Sequence, residues 1–200
     1  MEALEVVENG SILIEGDHIK AISKSNTPLT DLPPGVEVID VKGSIISPGF
    51  VDTHRHGWQM TWRTMAPNIT LAEYFQKHSE FSPVNDSFTP EDIYISQLFG
   101  LCDGLNAGVT SSLDHAHHTF SPETAEAGLQ ASIDSGARVW WSYGLHDIGD
   151  KFPIDAQMQN LRDLASNKDY QNKRVSLGLA YDRFGIAPAS EVTKASDLAA

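Results

Sequence analysis

His54 and His56 stand two residues apart in the run Pro48-Gly49-Phe50-Val51-Asp52-Thr53-His54-Arg55-His56. If that run is a strand, its period of two sends both imidazoles to one side together with Asp52, while Arg55 points to the other. Two neutral imidazoles held this way can bind one divalent ion, Zn²⁺, Fe²⁺ or Mn²⁺, and leave positions for other ligands and for water. The same spacing also arises by chance near strand ends, so the pair alone fixes no complete ligand set.

A second histidine cluster, Asp114-His115-Ala116-His117-His118, follows an apolar β-type run. Alternation puts His115 and His117 on one face and Asp114 and His118 on the other, and one of those faces can line the same pocket as His54 and His56. His117 is the preferred member, as a substrate-binding residue or as a group that orients a metal ligand. His146 lies past the next strand in the corresponding place, and Gln59 carries an amide suited to a substrate carbonyl or amine. Gln59, His117 and His146 are therefore the substrate-side candidates. Trp58 and Trp62 either wall the pocket or seat a long loop. His18 and His78 belong to a hairpin turn and a helix end, where solvent exposure is expected. No residue is singled out as the catalytic acid or base.

The elements that must position these groups come in two styles. Residues 9–23 read as a hairpin turning at Glu15-Gly16-Asp17, and 36–41 and 44–46 as further short strands, which together make a small β layer. From Phe50 the rhythm becomes strand, loop, helix. Thr70 can cap a helix through Leu71, Tyr74 and Phe75. Thr89 caps a better-marked one, with Pro90 at the first position and Glu91 and Asp92 in the first turn, running to Gly108. Strand 109–113 follows, then a helix capped by Ser121 with Pro122 behind it and Gly136 at its end. Residues 138–144 form the next strand, about 155–166 a helix, 175–181 a fourth strand, and Glu191 to Ala200 begins another helix. Trp140 and Trp141 must face opposite sides of their strand, a packing role. Alternating strands and helices imply a parallel sheet joined by right-handed crossovers. Periodicity alone does not separate an open doubly wound sheet from a barrel, which takes about 250 residues for eight strands.

Composition excludes several classes. With 27 acidic against 14 basic side chains and a formal net charge of -13, nothing favours nucleic acid or an anionic membrane as partner. The single cysteine, Cys102, sits in an apolar helical pattern, reads as a buried core thiol and rules out an internal disulfide framework, in keeping with a cytoplasmic setting. No apolar run approaches a membrane span. Gly144, Gly178 and Gly185 lack the spacing of a nucleotide-binding loop, and neither Ser142 nor Ser176 sits in a nucleophile elbow.

Three runs in fixed order carry a resemblance: Ile14-Glu15-Gly16-Asp17-His18-Ile19-Lys20-Ala21-Ile22, Val38-Ile39-Asp40-Val41-Lys42-Gly43, and Ile46 through His56. They resemble the opening of the metal-dependent amidohydrolase superfamily, and within it the cytosine deaminase and chlorohydrolase branch. Residues 106–110 and Asp134-Ser135-Gly136 are similar to that family's second and third barrel units. The resemblance implies an α/β chain: residues 1–47 as part of a small β-sandwich, and 48–200 as the first half of a TIM-type (β/α)8 barrel, truncated before strands five to eight. It implies that His54 and His56 are the ligands contributed by the first barrel strand to one divalent ion, zinc first, with iron or manganese as alternatives. The implied activity is hydrolysis of a carbon–nitrogen bond other than a peptide bond in a small-molecule substrate, through metal-activated water. The family's remaining ligands and proton shuttle come from later strands, a histidine on the fifth, another on the sixth and an aspartate on the eighth. The alternative is a truncated, catalytically inactive fragment that self-associates into a homo-oligomer through its open sheet edges.

Overall fold

The computed structural model describes residues 5–24, 26–65, 67–78, 87–171 and 174–199. The chain divides into two compact units, Met1–Pro48 and Gly49–Ala200. In the first, β1 (Ile12–Glu15) and β2 (His18–Ile22) pair antiparallel, with Glu15 opposite His18. Gly16 takes φ +63, the left-handed conformation that the tight turn requires and that glycine adopts without a Cβ clash. The other strands anticipated here do not form. Segments 36–41 and 44–46 are irregular, and Val38, Ile39 and Ile45 are 78%, 74% and 96% exposed. A β-prone run becomes a strand only when a partner takes its backbone hydrogen bonds, and no described residue does so for these two.

The second unit is a four-stranded parallel sheet in the order β3 (Phe50–Arg55), β4 (Val109–Ala116), β5 (Arg138–Gly144), β6 (Val175–Ala180). Helix α1 (Leu71–His78) and α2 (Pro90–Asn106) lie between the first two strands, α3 (Pro122–Asp134) and α4 (Ile154–Ser166) fill the next two crossovers, and α5 (Ala189–Ala199) follows β6. Ala200 lies outside the described residues. The helix starts follow their local chemistry. Thr89 accepts from the Asp92 N–H while the Asp92 carboxylate accepts from the Thr89 N–H, and Ser121 and Thr124 make the same reciprocal pair. Each such cap satisfies two otherwise orphaned donors, and losing one typically costs about 1 kcal/mol.

Strand periodicity divides the sheet into two unlike faces. Ala116, Val139, Trp141, Tyr143 and Val175 pack with Ala125 and Leu129 of α3, Met158, Leu161 and Leu164 of α4 and Ala195 of α5 in one buried cluster. Each buried valine, leucine or methionine among them contributes roughly 1.5–3 kcal/mol on leaving water. On the opposite face Phe50, Leu113 and Trp140 remain 64%, 39% and 47% exposed. The adjacent tryptophans thus split as alternation requires, Trp141 into the helix layer and Trp140 onto the open side. Cys102 is exposed rather than buried. Leu101, 2% exposed, takes the inward position of α2, whereas Ile95, Phe99 and Cys102, at helical spacing, form a second apolar stripe that faces outward. Among the described residues no helix is long and apolar enough to cross a membrane.

Candidate metal centre

His54 and His56 leave β3 on the open face, and the neighbouring strand brings His115 beside them. Parallel pairing sets Arg55 opposite Asp114, so the residue after each falls side by side. Ring centroids lie 4.9 Å apart for His54 and His56, 5.7 Å for His54 and His115, and 5.1 Å for His56 and His115, a closed triangle. One ring nitrogen from each of the three lies within 4.8 Å of the other two. Three imidazoles offering nitrogen alone suit zinc or another first-row divalent ion better than magnesium or calcium, which prefer oxygen.

The hydrogen bonds around the triangle decide which nitrogens are available. His56 Nδ1 sits 3.0 Å from the His115 carbonyl oxygen. A carbonyl only accepts, so Nδ1 carries the proton and Nε2 keeps the lone pair a metal needs. His115 Nε2 lies 3.3 Å from Asp182 Oδ2, just past β6, and the same logic leaves His115 Nδ1 as its free acceptor. Burial pushes the His115 imidazole below its usual range, and Asp182 opposes that shift.

Beneath the triangle, on the helix side, Asp114 is fully buried and ties the strand ends together. Its Oδ1 accepts from the Gly57 N–H at 2.9 Å and its Oδ2 from Gln97 Nε2 at 2.5 Å. Gln97 Nε2 also reaches Ser132 Oγ at 3.0 Å, and that hydroxyl donates to the Gly128 carbonyl at 2.8 Å. Burial raises the Asp114 carboxyl above the usual carboxylate range, against the pull of its Gly57 and Gln97 donors. The turn Gly57–Trp62 can lie this close because a Cβ on Gly100 would come 2.2 Å from the Gly57 carbonyl oxygen. Arg55 points into the helix side, where a guanidinium N–H donates to the Gly100 carbonyl. Its Nη1 also lies 3.6 Å from Asp52 Oδ2, across the stretch where the β3–β4 register is irregular.

The other candidates fall around this centre. His117 is 5% exposed, with its ring 4.4 Å from that of His56, 5.3 Å from Trp58 and 6.1 Å from His146. Burial first, and then the neighbouring imidazoles, hold it well below the usual histidine range, so it is neutral. The His146 N–H donates to Gln157 Oε1 at 2.9 Å, and Gln157 Nε2 returns to the His146 carbonyl at 2.7 Å, clamping that loop to α4. Gln59 Nε2 donates to the Tyr74 hydroxyl at 2.8 Å and its Oε1 accepts from that hydroxyl at 3.0 Å, so its amide joins the loop to α1. Trp58 is wholly buried among Phe88, His117 and Phe120, a loop-seating position. His18 is solvent-facing, but His78 is not: it is 5% exposed and stacks 4.8 Å from Trp62, because α1 lays its last turn on the tryptophan loop.

No family model matches the chain. It is 30% identical over 87% of its length to 5-methylthioadenosine/S-adenosylhomocysteine deaminase of Thermococcus kodakarensis, and 33% identical over 68% of its length to 5'-deoxyadenosine deaminase of Methanosarcina mazei. The chain thus resembles these deaminases in sequence and, in the structures that follow, amidohydrolases in fold. It spans 38% and 30% of the lengths of those two relatives. A triazine hydrolase from Arthrobacter aurescens superposes with a TM-score of 0.74 at 23% identity, over 96% of this chain and 46% of that one. An amidohydrolase from an environmental sample of the Sargasso Sea gives 0.61 at 18%, over 94% and 44%. The overlay of the parallel sheet with under half of each neighbour makes this amidohydrolase fold a partial (β/α) barrel, as read from the sequence.

Sequence reasoning preferred His117 in the second cluster, whereas His115 is the member that closes the triangle. The missed signal was strand length. The strand anticipated to end at Leu113 runs to Ala116, so His115 is still a strand residue in register with its neighbour. Asp114 and Asp182 were not singled out, since a lone acidic residue at a strand end has no spacing to mark it.

Proposed function

We propose that the chain carries part of the metal centre of a hydrolase that cleaves a carbon–nitrogen bond other than a peptide bond, of the deaminase type, acting on an amino-substituted nitrogen heterocycle. The observation that carries this is the pair His54 and His56, converging with His115 on the open face at the strand ends, with the His56 tautomer fixed for coordination. The names of the deaminases it is similar to support the reaction class, and the atrazine chlorohydrolase from Arthrobacter aurescens complexed with zinc, at a TM-score of 0.58 over 85% of this chain, supports zinc as the ion. When bound, a divalent ion here supplies Lewis acidity and brings the pKa of water toward about 7.

The protein's own groups do the positioning. The His115 carbonyl holds the Nδ1 proton of His56, and Asp114, through the Gly57 N–H, holds the backbone that follows it. His117, kept neutral by burial, has an Nδ1 without a hydrogen-bond partner and is assigned to a polar atom of the substrate. His146 lines the same side. Gln59 joins them if its amide exchanges the Tyr74 hydroxyl for a ring nitrogen or carbonyl of the substrate. The test is ammonia release from adenosine-type and cytosine-type amines by the zinc-loaded chain, with bound metal quantified alongside. Bound zinc with ammonia release is the expected result. Absence of bound metal overturns the metal centre, and bound zinc without release from any such amine removes the deaminase assignment.

A further inference from the structure

Resting on the assignment of His117 and His146 to the substrate side, we infer that Thr119 and Gly144 are the residues that position them. A buried hydroxyl on the loop after β4 and a missing Cβ at the end of β5 set the two imidazoles beside each other at the strand ends. His54 and His56, by contrast, are held from β3 and the turn after it, so the device acts on the substrate rather than on the ion.

Thr119 has no exposed surface, and its hydroxyl donates to the Gly144 carbonyl at 2.6 Å. That bond satisfies a buried acceptor and ties the loop between β4 and α3 to the last residue of β5. At the start of the same loop the His117 N–H donates to the His115 carbonyl at 3.0 Å, so the backbone carrying His117 is held at both ends. Gly144 acts through what it lacks. A Cβ there would come 2.9 Å from both Cε1 and Nε2 of His146 and 3.1 Å from His117 Cα. Gly144 does not have the left-handed φ of Gly136 or Gly149, so its backbone suits any residue, and it is the close approach of the two histidines that requires glycine. His146 is also fixed from its other flank, where its N–H and carbonyl are both bonded to the wholly buried Gln157. A side chain at position 144 is therefore not absorbed by sliding the loop, and the His146 ring itself has to turn away. A bond that only anchored the loop would account for Thr119 but not for the bare Cα of Gly144, whose consequence is room for the two imidazoles, their ring centroids 6.1 Å apart.

The test is calorimetric titration of the zinc-loaded whole chain with adenosine and with cytosine, with bound zinc quantified for each variant. Thr119→Val keeps the side-chain shape and removes the donor, whereas Gly144→Ala keeps the Thr119 bond and adds the Cβ. Each is expected to weaken binding by about 10-fold or more at unchanged zinc content, and Thr119→Ser to return to within about 3-fold of the unaltered protein. Because Thr119→Val also strands a buried carbonyl, a second readout uses the unaltered protein: in long-range ¹H–¹⁵N spectra, whichever probe binds should shift ring nitrogens of both His117 and His146. Unchanged affinity in either Thr119→Val or Gly144→Ala, a loss of zinc that matches the loss of binding, or unmoved His117 and His146 nitrogens in the bound state overturns the inference and leaves the deaminase reading standing. Zinc-loaded, unaltered protein that binds neither probe overturns the inference together with the assignment of His117 to the substrate, and leaves the His54–His56 pair as the metal centre.

Discussion

On the helix side of the four-stranded sheet, Trp141 and Tyr143 have no exposed surface, and the buried carboxylate of Asp114 has both oxygens hydrogen-bonded. On the other side Phe50 and Trp140 are 64% and 47% exposed, and three imidazoles converge there. The same strands supply both faces, residue by residue in alternation. The contrast teaches that stability and chemistry are carried on opposite sides of one sheet, so substitutions should separate cleanly into those that unfold the protein and those that only change what it binds.

The largest effect expected from that division is on the adjacent tryptophans. Trp141→Ala empties a fully packed site and should lower unfolding free energy by about 3–5 kcal/mol, whereas Trp140→Ala should cost about 1 kcal/mol or less. Urea unfolding measures both, and equal losses would break the two-face account. Next comes Asp114→Ala, which strands the buried Gly57 and Gln97 donors and should cost about 2–4 kcal/mol while loosening the strand end that holds His56. Smaller again is Gly128→Ala. Its new Cβ would fall 1.8 Å from His118 Nε2, so a loss of about 1–3 kcal/mol is expected, and His118→Ala in the same chain should recover most of it. An unchanged midpoint in Gly128→Ala would contradict the close seating of α3 on His118.

Another contrast appears in acid. His118 is buried on the helix side, and burial, with a lesser contribution from His146, depresses its pKa from 6.5 to about 3. The unfolded chain therefore binds more protons between those values, and stability falls as pH drops through that window, with this residue's share of the slope approaching about 1.4 kcal/mol per pH unit. Above pH 6.5 the contribution is constant. His118→Leu should flatten the acid limb of a stability-versus-pH curve, and an unaltered limb would show that His118 is not held neutral.

Much of this was legible in the sequence because it rests on local rules. Thr89-Pro90 and Ser121-Pro122 announce helix starts that any backbone would respect, and the period-two spacing of His54 and His56 already states that they share a face. What was not legible depends on neighbours. Whether Val38 and Ile39 form a strand is decided by a partner, not by their β-branched side chains. Cys102 lies outward because α2 is apolar on two sides, and the pattern does not say which side meets the sheet. His115 rather than His117 closes the triangle because β4 continues three residues beyond Leu113, and Asp182 joins it from the loop after β6, far away in sequence, a contact that only the fold can make.

The central claim is that the imidazoles of His54 and His56 hold one divalent ion on the open face of the sheet. Zinc K-edge absorption of the purified, zinc-loaded protein tests it most directly. The account predicts one zinc per chain, with a nitrogen shell at about 2.0–2.1 Å and the outer-shell scattering of several imidazole rings. A sub-stoichiometric zinc with an oxygen shell and no imidazole scattering would contradict it.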